Sequence, residues 1–373
     1  MSNGITAITM PKWGLTMTEG KVVGWLKQPG QRFAEGEEII EIETTKITNV
    51  LEAPAGGTLR RIVAPAGSTL PVGALLAVVA PEEVAEGEID TFVAGFAIPE
   101  PSAEAATDAD TAKPRELEAA GLRLRYLELG EGGSVPVLLL HGFGADLNTW
   151  MFTQPALADE RRVIALDLPG HGGSAKDVGS GNAERLTDAV EGAIGALGID
   201  RVHLIGHSMG GAIAASLALR RPELAASLTL IASAGLGPEI NAAFLDGFVR
   251  AARRREAVEV LSLLVHDPAL VSRTMVEDVL RYKRLDGVAA ALAKIADAWF
   301  AAGRQSLDLT AQIVTLERPV QIIWGREDRV IPVSHAEALA DRLPVHILEQ
   351  AGHLPHMEKA GEVNRLIKQF IEI

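Results

Sequence analysis

One serine in this chain stands where a hydroxyl can become a nucleophile. Gly206-His207-Ser208-Met209-Gly210 is a G-x-S-x-G pentapeptide, preceded by the apolar run RVHLI and followed by the alanine-rich AIAASLAL. A strand before and a helix after is the setting in which this motif makes a sharp turn. Side chains two positions to either side would collide, so glycines stand there, and the hydroxyl is lifted to the strand end beside a helix N-terminus. A serine hydroxyl is a poor nucleophile until a base takes its proton, and the base must be held by an acid. His353, in EQAGHLPHMEK, and Asp328, in IIWGREDRVIP, each follow an apolar strand-like run. His356 and Glu327 are the rival base and acid, each less well placed in its motif, and His171, in DLPGHGGS, is read as stabilising a loop. His141-Gly142-Phe143-Gly144 follows VPVLLL. The backbone N–H of Phe143, with that of Met209, can therefore meet the oxyanion that develops when an acyl carbonyl is attacked.

The second reactive candidate is Lys46, in IETTKITN, between two runs of strand-forming residues. When the first eighty or so residues are slid against themselves, Gly20, Gly30 and Gly36 fall on Gly57, Gly67 and Gly73, and Ile39 and Ile42 on Leu76 and Val79. Two copies of one β unit cannot bury an apolar face separately, so a small β-sandwich is expected. The same shift carries Lys46 onto Glu83, where that domain ends. This sets Lys46 at an exposed hairpin tip opposite the exit of the chain. A lone lysine at a turn is ordinarily only a solvated charge.

The elements that must hold Ser208 lie further on. LRLRYLEL alternates as a half-buried strand does, and VPVLLLHG, RRVIALDLPG, RVHLIGHS, ASLTLIAS and VQIIWG are short apolar runs separated by helical patterns. That succession predicts a mostly parallel sheet covered on both faces. Residues from about 237 to 314 read as helical and interrupt the order of strands, as a cap over the site would. Trp150, Met151, Trp299 and Phe300 are candidates to line the pocket, with core packing an equal account of each. Between the two regions, the stretch from Pro81 to Ala112 is acidic, carries no lysine or arginine, and turns rich in Ala and Pro. It reads as an extended linker, with IDTFVAGFA apolar enough to dock locally. The fold class is thus multidomain: an all-β sandwich over 1–81, a flexible acidic linker over 82–115, and an α/β domain over 116–373.

The 373 residues carry a formal charge of −14, which disfavours nucleic acid and anionic membranes as partners. The apolar runs are too short to span a bilayer, and MSNGITAITMPKWG lacks the basic start and apolar segment of a secretory signal, so a cytoplasmic protein is expected. With no cysteine there are no disulfides or thiolate ligands, and no thiol to trap a dithiol.

The segment MPKWGLTMTEGKVVGWLKQPGQRFAEGEEIIEIETTKITNVLEAPAGGTL resembles the lipoyl domain family. That resemblance implies lipoate amidated to Lys46; Thr45 stands where the family more often has Asp, and Thr45 and Ile47 stand where the related biotinyl domains have methionines. HGFG, DLPGHGGS, GHSMGG, WGREDRVIP and AGHLPHME resemble the motifs of the α/β-hydrolase family, whose order of nucleophile, acid and base is that of Ser208, Asp328 and His353. The two together resemble the acyltransferase components of bacterial acetoin dehydrogenase complexes. The resemblance implies acetyl transfer from a lipoyl arm to CoA, a thiamine-diphosphate-dependent acetoin-cleaving subunit and a dihydrolipoamide dehydrogenase as partners, and a homo-oligomer. The His-x-x-x-Asp-Gly motif usual in acyltransferases of such complexes is absent from the sequence. A lipoyl-carrying thioesterase, esterase or carbon–carbon hydrolase, and a carrier scaffold with an inert second domain, remain the alternatives. Arg250, Arg253, Arg254 and Arg255 form the one dense basic cluster, which can hold CoA phosphates or be a solvated helix face.

Overall fold

Polar–apolar alternation in GKVVGWL and EEIIEIE makes strands with one buried face, and pairs of such strands build the first unit. The computed structural model describes residues 4–11, 13, 17–44, 48–97, 112–132, 134–159, 161–300 and 303–372. It divides into two compact units, residues 1–111 with 272–275, and residues 112–271 with 276–373. In the first unit the strands are β1 (Thr6–Thr9), β2 (Glu19–Trp25), β3 (Arg32–Phe33), β4 (Glu38–Glu43), β5 (Thr48–Glu52), β6 (Gly57–Ile62), β7 (Thr69–Pro71) and β8 (Leu75–Val79). They form two four-stranded antiparallel sheets, ordered β1-β8-β6-β3 and β5-β4-β2-β7. Exchanging β5, β4, β2 and β7 for β1, β8, β6 and β3 turns one order into the other, so the sequence repeat is a pseudo-twofold of strand pairing. The core includes Val22, Phe33, Ile40, Ile42, Leu59 and Leu76. Hairpin β4–β5 pairs Glu43 with Thr48; Lys46 lies outside the described residues.

The stretch 82–115, read from composition as a flexible linker, contains a helix, Glu86–Gly95. Its Ile89 is fully buried with Leu75, Val78, Ala80 and Val84, and Phe92, Val93 and Phe96 pack on the same cluster. Its acids face β6: Glu86 pairs with Arg60 and Arg61 at 2.6 Å each, and Asp90 pairs with Arg61. Acidic composition had hidden an apolar stripe at helical spacing. Residues 98–111, the remainder of the acidic stretch, lie outside the described residues.

In the second unit the strands are β9 (Arg115–Ala119), β10 (Leu122–Leu129), β11 (Val137–Leu140), β12 (Val163–Leu166), β13 (Val202–His207), β14 (Ala225–Ile231), β15 (Val320–Gly325) and β16 (Val345–Leu348). They form one sheet ordered β16-β15-β14-β13-β11-β12-β10-β9, parallel from β16 to β12 and antiparallel at β10 and β9. β11, β12, β13 and β14 are buried at every residue, as sheet interiors covered on both faces must be. The chain passes from β11 to β12 on one side and then to β13 on the other. Strand ends therefore diverge between β11 and β13, and the crevice there is where α/β sheets hold their ligands. Helices Ala242–Arg250, Arg254–Leu261, Arg273–Lys283, Val288–Trp299 and Thr310–Val314 lie between β14 and β15. No helix among the described residues is long and apolar enough to cross a membrane.

The docked helix makes a prediction. Amides of residues 86–95 should exchange slowly with solvent. Ile89→Ala, which empties a fully buried site at a cost of about 2–5 kcal/mol, should bring that segment to free-chain exchange while β2 and β4 stay protected. Free-chain exchange of 86–95 in the unsubstituted protein would remove the helix from the unit.

Candidate active site

Ser208 begins the helix Met209–Arg220 with φ 53° and ψ −119°, a left-handed conformation that costs a non-glycine residue about 1–3 kcal/mol. Its backbone is held on both sides. The Ser208 N–H donates to the Ile231 carbonyl at 2.9 Å, and its carbonyl accepts from Gly211 and Ala234, each at 3.0 Å. A Cβ at 206 would strike the Gly210 backbone, and one at 210 the carbonyls of Leu140 and His141. The G-x-S-x-G spacing is thus a close-approach requirement between the elbow and the end of β11.

The Met209 N–H is in the first helical turn, where no intrahelical acceptor exists. Among the described residues no acceptor takes the Phe143 N–H either. Gly142 leaves no room for a Cβ against His207 and Ser208, which brings the Phe143 loop down onto the elbow. The Phe143 ring meets Phe248 at 5.8 Å, His171 at 6.1 Å and Phe300 at 6.3 Å, all edge-on, a geometry that favours aromatic contact.

His353 and Asp328 come together from separate loops. The His353 Nδ1–H donates to Asp328 Oδ2 at 2.8 Å, with both side chains essentially without solvent. Asp328 Oδ1 accepts from the amides of Val330 at 2.8 Å and Ile331 at 2.9 Å, so both carboxylate oxygens are satisfied. With Nδ1 taken, His353 has Nε2 as its proton acceptor. His207, the residue before the serine, donates its Nε2–H to the His353 carbonyl at 2.8 Å, with the rings 4.8 Å apart. Base and elbow are joined through that bond.

The rivals are otherwise engaged. Glu327 accepts from the Ala351 amide at 3.1 Å and lies 3.7 Å from His266. His356 is buried, hydrogen-bonds with Thr149 Oγ1 at 3.1 Å, and lies between the Trp150 ring at 4.7 Å and the His207 ring at 4.6 Å. Burial pushes its pKa down to about 3, His353 adding to the shift. His171 donates from Nδ1 to the Pro169 carbonyl at 3.0 Å, as a loop stabiliser would, and burial with His141 beside it also takes it down to about 3. His207 is pushed far below its ordinary value, first by burial and then by His356 and His353. These rings are neutral walls.

Of the aromatic candidates for the pocket, Phe300 reaches Phe143, whereas Trp299 is buried with its Nε1–H on the Gly181 carbonyl at 2.9 Å and Trp150 is buried against His356. Met151 is half-buried. In the basic cluster, Arg254 faces Glu277 at 3.6 Å and Arg255 faces Glu259 at 3.0 Å; Arg250 and Arg253 are exposed, and the Arg253 amide donates to Glu256 at 3.0 Å. No group of three metal-ligating side chains occurs among the described residues. Two side chains at the site do not stand out in the sequence: His207 is only the variable letter of its motif, and Glu358, which accepts the Gly352 amide at 2.9 Å, is one acid in HLPHMEK, marked by being a carboxyl amid apolar turn residues.

Comparisons with known proteins fit this geometry. Residues 135–360 match the family model described as alpha/beta hydrolase fold, and residues 6–79 that of the biotin-requiring enzymes with a biotin/lipoyl segment. The dihydrolipoyllysine-residue acetyltransferase component of the acetoin cleaving system of Pseudomonas putida is 47% identical over 98% of this chain and 98% of its own length. Its namesake from Cupriavidus necator is 43% identical over 100% of this chain and 98% of its own. Among solved structures, a meta-cleavage product hydrolase of Pseudomonas fluorescens superposes with a TM-score of 0.63 at 27% identity, covering 69% of this chain and 97% of that one.

Two predictions follow from the site. Asp328→Asn should lower ester turnover by about four orders of magnitude, as expected when the base loses its orienting acid, whereas Glu327→Gln should stay within about threefold; equal losses would mean the acid is misassigned. The neutral histidines bind fewer protons folded than unfolded. Their contribution to stability is complete above pH 6.5 and is lost as pH falls from 6.5 towards about 3. Denaturant midpoints should decline over that window, less so in His356→Gln. An identical decline in both would show that His356 charges inside the fold.

Proposed function

We propose, from the premise that this chain belongs to the family of dihydrolipoyllysine-residue acetyltransferase components of acetoin cleaving systems, that it moves acetyl to coenzyme A through an acyl-enzyme on Ser208. The observation that carries the reading is the buried Asp328–His353 pair tied through His207 to the serine elbow. Lys46 falls in the sequence between β4 and β5, whose facing ends pair Glu43 with Thr48, and this supports its reading as the attachment lysine. Lipoate amidated there supplies a dithiol that carries the acyl group as a thioester.

His353 Nε2 takes the Ser208 proton as Oγ bonds to the thioester carbonyl carbon. The amides of Phe143 and Met209 receive the oxyanion; loss of one such donor typically costs about two to three orders of magnitude in rate. The C–S bond breaks and His353 returns its proton to the departing sulfur. The CoA thiol then gives its proton to His353 and bonds to the acyl carbon, the C–Oγ bond breaks, and Ser208 regains its hydrogen from His353. Asp328 stays ionised throughout and holds the imidazolium in both halves.

As a component of a cleaving system, the protein works with other subunits. We assign a thiamine-diphosphate-dependent acetoin-cleaving subunit to acyl loading and a dihydrolipoamide dehydrogenase to reoxidation of the dithiol, with a homo-oligomer of this chain between them in the cytoplasm.

The test supplies free acetyl-dihydrolipoamide, with and without CoA, to wild type and Ser208→Ala. Acetyl-CoA formed by wild type and abolished in Ser208→Ala is expected. Free acetate alone identifies a hydrolase, and a reaction indifferent to Ser208, or none, identifies a carrier scaffold. Lys46→Arg should abolish lipoate attachment by intact mass and leave turnover of the free thioester unchanged; a lipoylated Lys46→Arg chain would place the arm elsewhere.

A further inference from the structure

Behind the catalytic base lies a buried carboxyl that the reaction does not use. Glu358, in the short helix Pro355–Glu358, accepts the Gly352 amide on Oε1 at 2.9 Å and the His266 amide on Oε2 at 2.6 Å. The Leu354 amide also favours its ionised form. Gly352 precedes His353, so the carboxyl is tied directly to the residue before the base. The backbone of His353 itself is fully committed: its N–H donates to the Leu264 carbonyl at 2.8 Å, and its carbonyl accepts from His207.

Leu264 and His266 belong to the segment that leaves the cap helix Arg254–Leu261. The same segment is tied to the acid's loop, because Arg329, next to Asp328, donates to the carbonyls of Val265 at 2.7 Å and of Ser262. A Cβ on Gly352 would fall within 3 Å of backbone atoms of Leu264, Val265 and His266, so the two segments touch with no side chain between them. No cation pairs with Glu358 among the described residues. A group that merely filled this space would be apolar. A carboxylate offers two acceptor oxygens, and here they serve two different chain segments.

We propose that Glu358 is a positioning residue that sets His353 against Ser208 by fastening the base's loop to the end of the cap helix. Placement of the base thereby depends on the seating of the cap. The inference rests on His353 being the base of Ser208. Burial pushes the Glu358 pKa up to about 7, against the pull of the three amides, with Asp328 adding to the rise. The titratable groups around it are Asp328 from the loop after β15, His266 and, beside it, Glu327, and His353 and His356 on its own loop. Protonation takes away one acceptor oxygen, so the clamp is complete only above that range.

The experiment labels Ser208 of the full chain with a fluorophosphonate across pH 5.5–8.5, a readout independent of lipoate and CoA. Glu358→Gln, which keeps the shape and one acceptor, should label about ten- to a hundredfold more slowly at pH 8, with an unchanged KM for a small ester. A titration near pH 7 in the wild-type profile should be missing from the variant. Wild-type rate and profile in Glu358→Gln would overturn the clamp alone. A wild type that does not label at Ser208 would overturn the nucleophile assignment and the clamp with it. Should Glu358→Gln fail to fold, Arg329→Gln decides, since it frees the same cap segment from the acid's loop. Slowed labelling there supports the clamp, and an unchanged rate overturns it.

Discussion

Everything at the site depends on how closely the elbow approaches the end of β11. Ser208 can stand at φ 53° because hydrogen alone occupies the positions at 206 and 210 that face backbone. That proximity brings the Met209 amide, after β13, towards the Phe143 loop, after β11, the two N–H groups proposed to receive the oxyanion. It also delivers His207 to the carbonyl of His353. Strain of about 1–3 kcal/mol at one residue is offset by the backbone bonds around Ser208 and by a sheet whose central strands expose nothing.

The charge distribution follows the same economy. Buried histidines crowd this region, but only His353 among those at the elbow has a carboxylate on its Nδ1. Burial lowers the pKa of His207, His356 and His171, so in the proposed reaction they would neither compete for the proton nor repel a charged His353. Glu358 is displaced the other way. Its contribution to stability is present at acid pH and declines as the pH rises from 4.5 through about 7, the reverse of the histidines.

Much of this was legible in the residues. The strand–GHSMG–helix succession fixed the elbow because close approach leaves no choice but glycine, and apolar runs of four to seven residues mark buried strands. The repeat of three glycines disclosed the paired sheets, since turns recur wherever the sandwich does. What stayed hidden depends on tertiary contact. The helix Glu86–Gly95 has an acidic face that dominates composition and an apolar stripe that shows only once a sandwich is there to cover it. Trp299 reads equally as pocket or core until Gly181, far away in sequence, takes its N–H. Glu358 accepts from the amides of residues 352 and 266, and no local pattern announces a partner as distant as 266.

The exchange symmetry of the two small sheets has a mechanical side. It makes the end of β4 and the end of β8, where the chain leaves the sandwich, counterparts in the two sheets. A body tethered by one of these ends and loaded at the other keeps tether and load on different strands. The helix Glu86–Gly95 occupies the flank over β6 and β8, which leaves the sheet β5-β4-β2-β7 as the side of the carrier free of that helix.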